Sequence, residues 1–245
     1  LLNKNAAITV YEKNKVIGGH SRTVEINYDG KKIPVDTGFI VFNNRNYPHL
    51  TKLFETLGIA KTKSDMSFGA SIDDGKLEWS AQSLLSVFGQ KSYFFNLKFY
   101  GMLLDMRKFF KCAPQVLNRA DIITLGEYLD ELNMGEGFRN WFLLPMGAAI
   151  WSCPTSTMLA FPAQTFVRFF QNHGLLTVSD HPTWYTVKGG SQEYVKRLTN
   201  SFSDKILTDC GAVSVKRSKK SVKITDTKGD TRTYDRVIFA CHANE

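Results

Sequence analysis

Residues 6–23, AAITVYEKNKVIGGHSRT, constrain the fold of this chain more than any other stretch. Ala6, Ala7, Ile8, Thr9, Val10 and Tyr11 form a short apolar run with the β-branched content of a strand, and the run ends on Glu12. Five residues then intervene before the pair Gly18-Gly19, which is followed by His20, Ser21 and Arg22. A carboxylate at the end of a strand can accept hydrogen bonds from a ribose, and glycines without a Cβ let backbone amides approach a pyrophosphate closely. Each half is common by itself. Their conjunction points to a nucleotide.

In a Rossmann-type βαβ unit the glycine fingerprint precedes such an acidic residue by about 20 positions. Glu12 has eleven residues ahead of it, the first of them Leu1. The expectation is therefore that residues 1–5 are the tail of the first Rossmann helix, and that the chain is a piece cut at its start. Its end reads in the same way, with an apolar strand expected at residues 237–240 and a helix expected to begin within 241–245.

Composition narrows the class. With 43% hydrophobic and 22% charged residues, the 245-residue chain has the make-up of a globular protein rather than a disordered tail. A net charge of +8 admits anionic partners. The cations do not cluster with aromatics in a nucleic-acid-binding module, so nucleic acid is disfavoured; the tight group at residues 216–220 reads as a solvated hairpin turn. Cys112, Cys153, Cys210 and Cys241 are far apart, form no C-x-x-C pair and suggest neither a metal site nor a disulfide framework. That usage, with no apolar run of 18 residues, leads to a cytoplasmic expectation.

Along the chain, Asp29-Gly30 sits between alternating strands at residues 22–28 and 31–36, the signature of a hairpin. The second strand delivers Asp36-Thr37-Gly38, either a simple turn or a place where the backbone passes near a ligand. Leu50, Leu53, Phe54 and Leu57 have helical spacing, with Gly58 as the stop. A second hairpin is expected at residues 66–79 around Asp73-Asp74-Gly75. Residues 93–111, the most aromatic stretch, read as a helix stopped by Pro114. Its lysines and aromatics allow peripheral membrane contact, although burial in a domain core with snorkelling cations is the favoured reading.

Thr124 and Glu127 form a capping box, and helices are expected from Gly137 onward and after Pro162. Met158, Phe161, Phe166, Phe169 and Phe170 would suit an apolar tunnel or plain core. A strand at 184–187, a Gly189-Gly190 turn and a helix at 192–202 capped by Ser191 come next. Strands at 206–207, 212–216, 222–225 and 232–240 close the chain.

Glu12 with Gly18-Gly19, Asp36-Thr37-Gly38, the GAAIWS segment at 147–152 and the WYTVKGGSQEYV segment at 184–195 together resemble the FAD-dependent flavin amine oxidase and phytoene desaturase superfamily, closest to bacterial amine-oxidase-like oxidoreductases. The resemblance implies an α/β fold: an incomplete Rossmann-type FAD-binding domain with an inserted α+β substrate domain. The implied boundaries are residues 1–60 for the first part of the FAD-binding domain, 61–182 for the mainly helical substrate domain and 183–245 for the return. It implies FAD as cofactor, with Glu12 on the adenosine ribose and Gly18 and Gly19 admitting the pyrophosphate or ribityl chain. His20 and Arg22 would donate to phosphate, Asp36 and Gly38 would lie near the flavin, and the backbone of Ala212 and Val213 would lie beside the adenine. His20 stands where amine oxidases usually carry arginine, which leans toward the phytoene desaturase branch and an apolar small-molecule substrate, a lipid or fatty-acyl chain included. The alternative is a flavin-fold protein that binds nucleotide or lipid without turnover. No catalytic residue stands out, as expected when a cofactor carries the chemistry.

Overall fold

A computed structural model of the chain describes residues 4–81, 84–177 and 181–242. They fall into two compact units: one joins Leu1–Val41, His49–Thr62 and Tyr185–Glu245, and the other joins Phe42–Pro48 and Lys63–Trp184. The first unit is thus interrupted by the second and resumes after it.

In the first unit the strand Val10–Tyr11 pairs in parallel with Ile206–Leu207. Parallel neighbours cannot be joined by a tight turn and need a crossover; here the connection contains the whole second unit. The pairing continues past the strand ends, with the Glu12 amide donating to the Leu207 carbonyl and the Cys210 amide to that of Glu12, both at 2.9 Å. Thr23–Tyr28 and Lys31–Asp36 form the expected hairpin. Its two turn residues, Asp29 and Gly30, have φ of 52° and 73°, the left-handed pair that a two-residue hairpin loop requires. The helix Pro48–Thr56 stops before Gly58 at φ 64°.

A meander of Ala212–Arg217, Val222–Asp226 and Thr231–Tyr234 is the last regular structure among the unit's described residues. The strand expected over 237–240 is not formed. No described strand lies alongside to satisfy its backbone groups, and Ile238 and Phe239 are exposed. Of the expected helix tail, residues 1–3 lie outside the described residues, and Lys4 and Asn5 are not α-helical. Residues 243–245, where a last helix was expected to begin, also lie outside them.

The second unit holds the large apolar core. Its hairpin pairs Gly69–Ile72 with Leu77–Ser80. The aromatic stretch divides into a 3-10 turn, Lys91–Phe95, and an α-helix, Leu97–Cys112, capped by the Asn96 side chain, which accepts from the Phe99 amide at 3.1 Å. The expectation of a largely buried helix holds for one face only: Phe99, Met102 and Phe109 are buried, whereas Leu97 and Leu104 are exposed. The Thr124–Glu127 capping box is made in full. A π-helical turn, Arg139–Leu143, lies between Glu136–Phe138 and Leu144–Trp151. Gly147 lets Phe166 and Met158 close in, since a Cβ there would stand 3.0 and 3.1 Å from their side chains. Met158, Phe166 and Phe170 have no exposed surface, so of the two readings of that aromatic wall these three residues are core.

Candidate functional site

The turn at residues 18–22 lies against residues 36–39 in the first unit. Thr37 donates its amide to the Arg22 carbonyl at 2.9 Å and Phe39 donates to that of His20 at 2.7 Å, while Ser21 closes the turn onto the Gly18 carbonyl at 2.9 Å. The three glycines expected near a cofactor serve different ends. Gly38 is required by the chain itself, because a Cβ would overlap the His20 carbonyl oxygen. Gly18, at φ 115°, would put a Cβ 2.9 Å from the Ser21 carbonyl and 3.3 Å from Val195. Gly19, at φ 56°, has no atom within 4 Å of that position and leaves its flank open.

Among the described residues, the amides of Gly18, Gly19 and His20 have no protein acceptor. Consecutive amides of this kind, with left-handed residues among them, make a concavity suited to an anion. Arg22 is exposed and its guanidinium makes no ion pair among the described residues. The turn is backed by Tyr194, whose hydroxyl hydrogen-bonds that of Ser21 and whose ring packs on Phe39 and Phe54. His20 stacks on His242, with ring centroids 5.0 Å apart and planes 6° from parallel.

Asp36 is committed to the fold. Its Oδ1 accepts from the Ser191 amide at 2.8 Å, the Ser191 hydroxyl at 2.8 Å and the Thr23 hydroxyl at 2.6 Å; Oδ2 takes a longer bond from the Ser191 amide at 3.1 Å. Thr23 Oγ1 in turn accepts from the Gln192 amide at 3.0 Å. These bonds correct the expectation that Ser191 caps the helix after it, Gln192–Thr199. Ser191 has helical backbone angles (φ −62°, ψ −25°), makes no side-chain cap bond and is fully buried, so the cap comes from Asp36 and Thr23 instead. Gly190, at φ 91°, completes the arrangement: a Cβ there would sit 2.5 Å from the Thr23 methyl.

Glu12, Ala212 and Val213 form a second group. Glu12 Oε1 accepts from the Asn14 amide at 2.8 Å and from its side chain at 3.1 Å, which fixes the carboxylate at the strand end. Gly211 passes close to Lys13, where a Cβ would lie 3.1 Å from the Lys13 Cβ, bringing the start of the meander beside this turn. The register slips between Ala212 and Ser214, so Val213 bulges out and is exposed. Beneath lies Asp226, whose Oδ2 accepts from the buried Cys210 thiol at 3.4 Å.

Sequence reasoning singled out Gly18, Gly19, His20, Arg22, Asp36 and Gly38, and the structure brings these together. It missed Thr23, Tyr194 and His242, whose partners are remote in sequence. The residues at hand suit a ligand with phosphate and ribose: open amides at the glycine turn, an unblocked Gly19, and a fixed carboxylate at Glu12.

A family model described as flavin containing amine oxidoreductase matches residues 1–245. The fold is similar to that of a putrescine oxidase solved with putrescine, at 17% identity and a TM-score of 0.70, over 98% of this chain and 53% of that one. It is also similar to the cyclohexylamine oxidase from Brevibacterium oxydans IH-35A, at 17% identity and a TM-score of 0.65, over 96% and 52%. The chain thus spans about half the length of these solved structures. No curated protein matches it.

Proposed function

The chain belongs to the flavin-containing amine oxidoreductase family, and from that premise we propose that the protein is an FAD-dependent oxidoreductase acting on an apolar small molecule, a lipid or fatty-acyl chain. Bound FAD would supply the hydride acceptor that the protein's own side chains lack. The observation that carries the cofactor reading is the turn at residues 18–20, whose three amides have no acceptor among the described residues and whose Gly19 flank is open.

In this reading the amides of Gly18, Gly19 and His20 donate to diphosphate oxygens, with Arg22 adding charge. Glu12 accepts from the adenosine ribose, and the backbone at Ala212 and Val213 borders the adenine. Asp36 and Gly38 act one step back: Asp36 fixes the start of the helix behind the turn, and Gly38 lets the His20 carbonyl approach. The second unit would hold the substrate. His20 in place of the arginine usual in amine oxidases supports an apolar substrate over an amine.

The test uses the protein at its full natural length. Its visible spectrum and a titration with FAD read cofactor binding, and anaerobic mixing with fatty-acyl lipids or with putrescine and cyclohexylamine reads flavin reduction. Bleaching by the lipids is expected. A colourless protein that takes up no added FAD overturns the flavoprotein reading, bound flavin that no substrate reduces overturns the catalytic one, and reduction by the amines alone overturns the lipid assignment.

A further inference from the structure

The segment at residues 94–104 of the second unit exposes more large apolar surface than its place beside a packed core explains. Phe95 is 92% exposed, Leu97 87%, Leu104 68%, Phe94 47% and Tyr100 39%. Leu97, Tyr100 and Leu104 are three and four residues apart, so they share one face of the helix Leu97–Cys112. The opposite face carries Phe99, Met102 and Phe109, and these enter the core. The helix already has its packing partner on one side, and the apolar stripe lies on the other. A contiguous exposed patch of this kind marks an interaction surface.

Charge identifies the partner. Along the same face, beyond Leu104, come Arg107, Lys108 and Lys111, all exposed. Residues 91–111 hold five cations, Lys91 and Lys98 included, against one carboxylate, Asp105. Asp105 is turned to the protein, where it accepts from the Gly135 amide at 2.8 Å. Lys98 is engaged with Glu136 and the Trp141 ring, and Lys108 with the Leu132 carbonyl. Lys91, Arg107 and Lys111 make no ion pair among the described residues. An aromatic and aliphatic end about 10 Å long, counted from Leu97 to Leu104 at the helical rise, followed by unpaired cations, is complementary to an anionic bilayer: apolar side chains enter the headgroup boundary while cations meet phosphates.

We propose that residues 94–111 form a peripheral docking surface for anionic membranes, with Phe95, Leu97 and Leu104 as the inserted side chains and Arg107 and Lys111 as headgroup contacts. No helix among the described residues is long and apolar enough to cross a membrane, and the proposal needs none. It goes beyond the oxidoreductase reading and is tested without reference to activity.

The experiment is flotation of the full-length protein with vesicles of phosphatidylcholine, alone or mixed with phosphatidylglycerol, at low and high salt. Binding to the mixed vesicles at low salt is expected, with a loss of about tenfold in partitioning for Phe95→Ser/Leu97→Ser and for Arg107→Gln/Lys111→Gln. All four residues are exposed, so both variants should unfold at the wild-type temperature and elute as the wild type does. Absence of binding to mixed vesicles at low salt overturns the proposal, as does binding that neither variant weakens. Unfolding at lower temperature or a changed oligomeric state in Phe95→Ser/Leu97→Ser also overturns it, because the face would then be covered by protein. These results are separable from failure of the oxidoreductase reading, which is read from flavin binding and reduction.

Discussion

Asp36 holds Ser191 by two groups at once, accepting from its amide and its hydroxyl at 2.8 Å each across 155 residues of sequence. The same oxygen takes the Thr23 hydroxyl at 2.6 Å. Removing the carboxylate would strand a fully buried serine and orphan the amide that begins a helix. Asp36→Ala should therefore lower the stability of the first unit by about 2 to 3 kcal/mol, and Asp36→Asn, which keeps one acceptor oxygen, by about half as much. Urea unfolding followed by circular dichroism measures both. A loss below about 0.5 kcal/mol for Asp36→Ala, within the range of ordinary surface substitutions, would show that the bonds do not stabilise the unit.

Gly19 and Gly190 both have positive φ, yet alanine should act differently at each. At Gly190 the new methyl meets Thr23 at 2.5 Å, adding overlap to a backbone angle that L-residues avoid, and a cost of about 3 kcal/mol is expected. At Gly19 the space is open, so the cost should be the backbone term of about 1 kcal/mol. Its effect should appear in cofactor affinity, since the methyl would stand where a ligand approaches. Thermal unfolding of both variants, with FAD titration of Gly19→Ala, checks the contrast. Equal destabilisation by the two changes would refute it.

Cys210 and Cys241 should differ sharply toward thiol reagents. Burial, reinforced by the hydrogen bond to the Asp226 carboxylate, pushes the Cys210 thiol above the ordinary range, whereas Cys241 is exposed. In the native protein a disulfide reagent at pH 8 should modify Cys241 quickly and leave Cys210 protected until the meander opens. Mass spectrometry of the labelled peptides reads the order, and early labelling of Cys210 would contradict it.

The Asp226 carboxyl carries an acid-side prediction. Burial tends to raise it, but bonds from the Cys210 thiol and the Lys228 and Asp230 amides, with the charge of Arg232, outweigh burial and hold it below the usual carboxylate range. A group depressed in the folded state contributes stability above its unfolded pKa, about 3.9, and that contribution is lost as pH falls through the depressed value. The unfolding temperature of the wild type should therefore fall more steeply below about pH 4 than that of Asp226→Asn. Parallel pH profiles for the two would show that this carboxyl is not linked to folding.

Much of the fold is legible because its signals are local. Asp29-Gly30 specifies a hairpin by backbone chemistry within two residues, Thr124 and Glu127 specify a helix start within four, and Gly58 a stop within one. Ser191 misleads for the same reason. A serine before a helix reads as its own cap, and nothing nearby reveals that a carboxylate 155 positions away takes both its donors. The stretch at 237–240 has a strand's composition, but a strand also needs a neighbour, which local sequence does not disclose. In the helix Leu97–Cys112 the residue pattern gives the helix and leaves open which face is buried, because Leu97 and Phe99 look alike until the core is built. At the glycine turn the sequence indicates that side chains must be absent. Only the packing separates Gly38, which makes room for a carbonyl, from Gly19, which makes room for nothing in the chain.

Glu12 offers the most direct test of the nucleotide assignment. Its Oε1 is tied to Asn14 by two bonds, which orient the carboxylate before any ligand arrives. If the group accepts from the adenosine ribose, Glu12→Ala in the full-length protein should weaken FAD by about tenfold or more, the value of hydrogen bonds to a charged acceptor. ADP, which carries the same ribose and lacks the flavin, should lose affinity by a similar factor when it competes with FAD. Asn14→Ala removes the longer, side-chain bond and keeps both the backbone amide's bond and the acceptor, so a smaller loss is expected for both ligands. Flavin fluorescence titration and ADP competition measure the set. Weaker FAD with unchanged ADP would move the role of Glu12 away from the ribose, and unchanged affinity for both would leave its carboxylate as a local turn lock for Asn14.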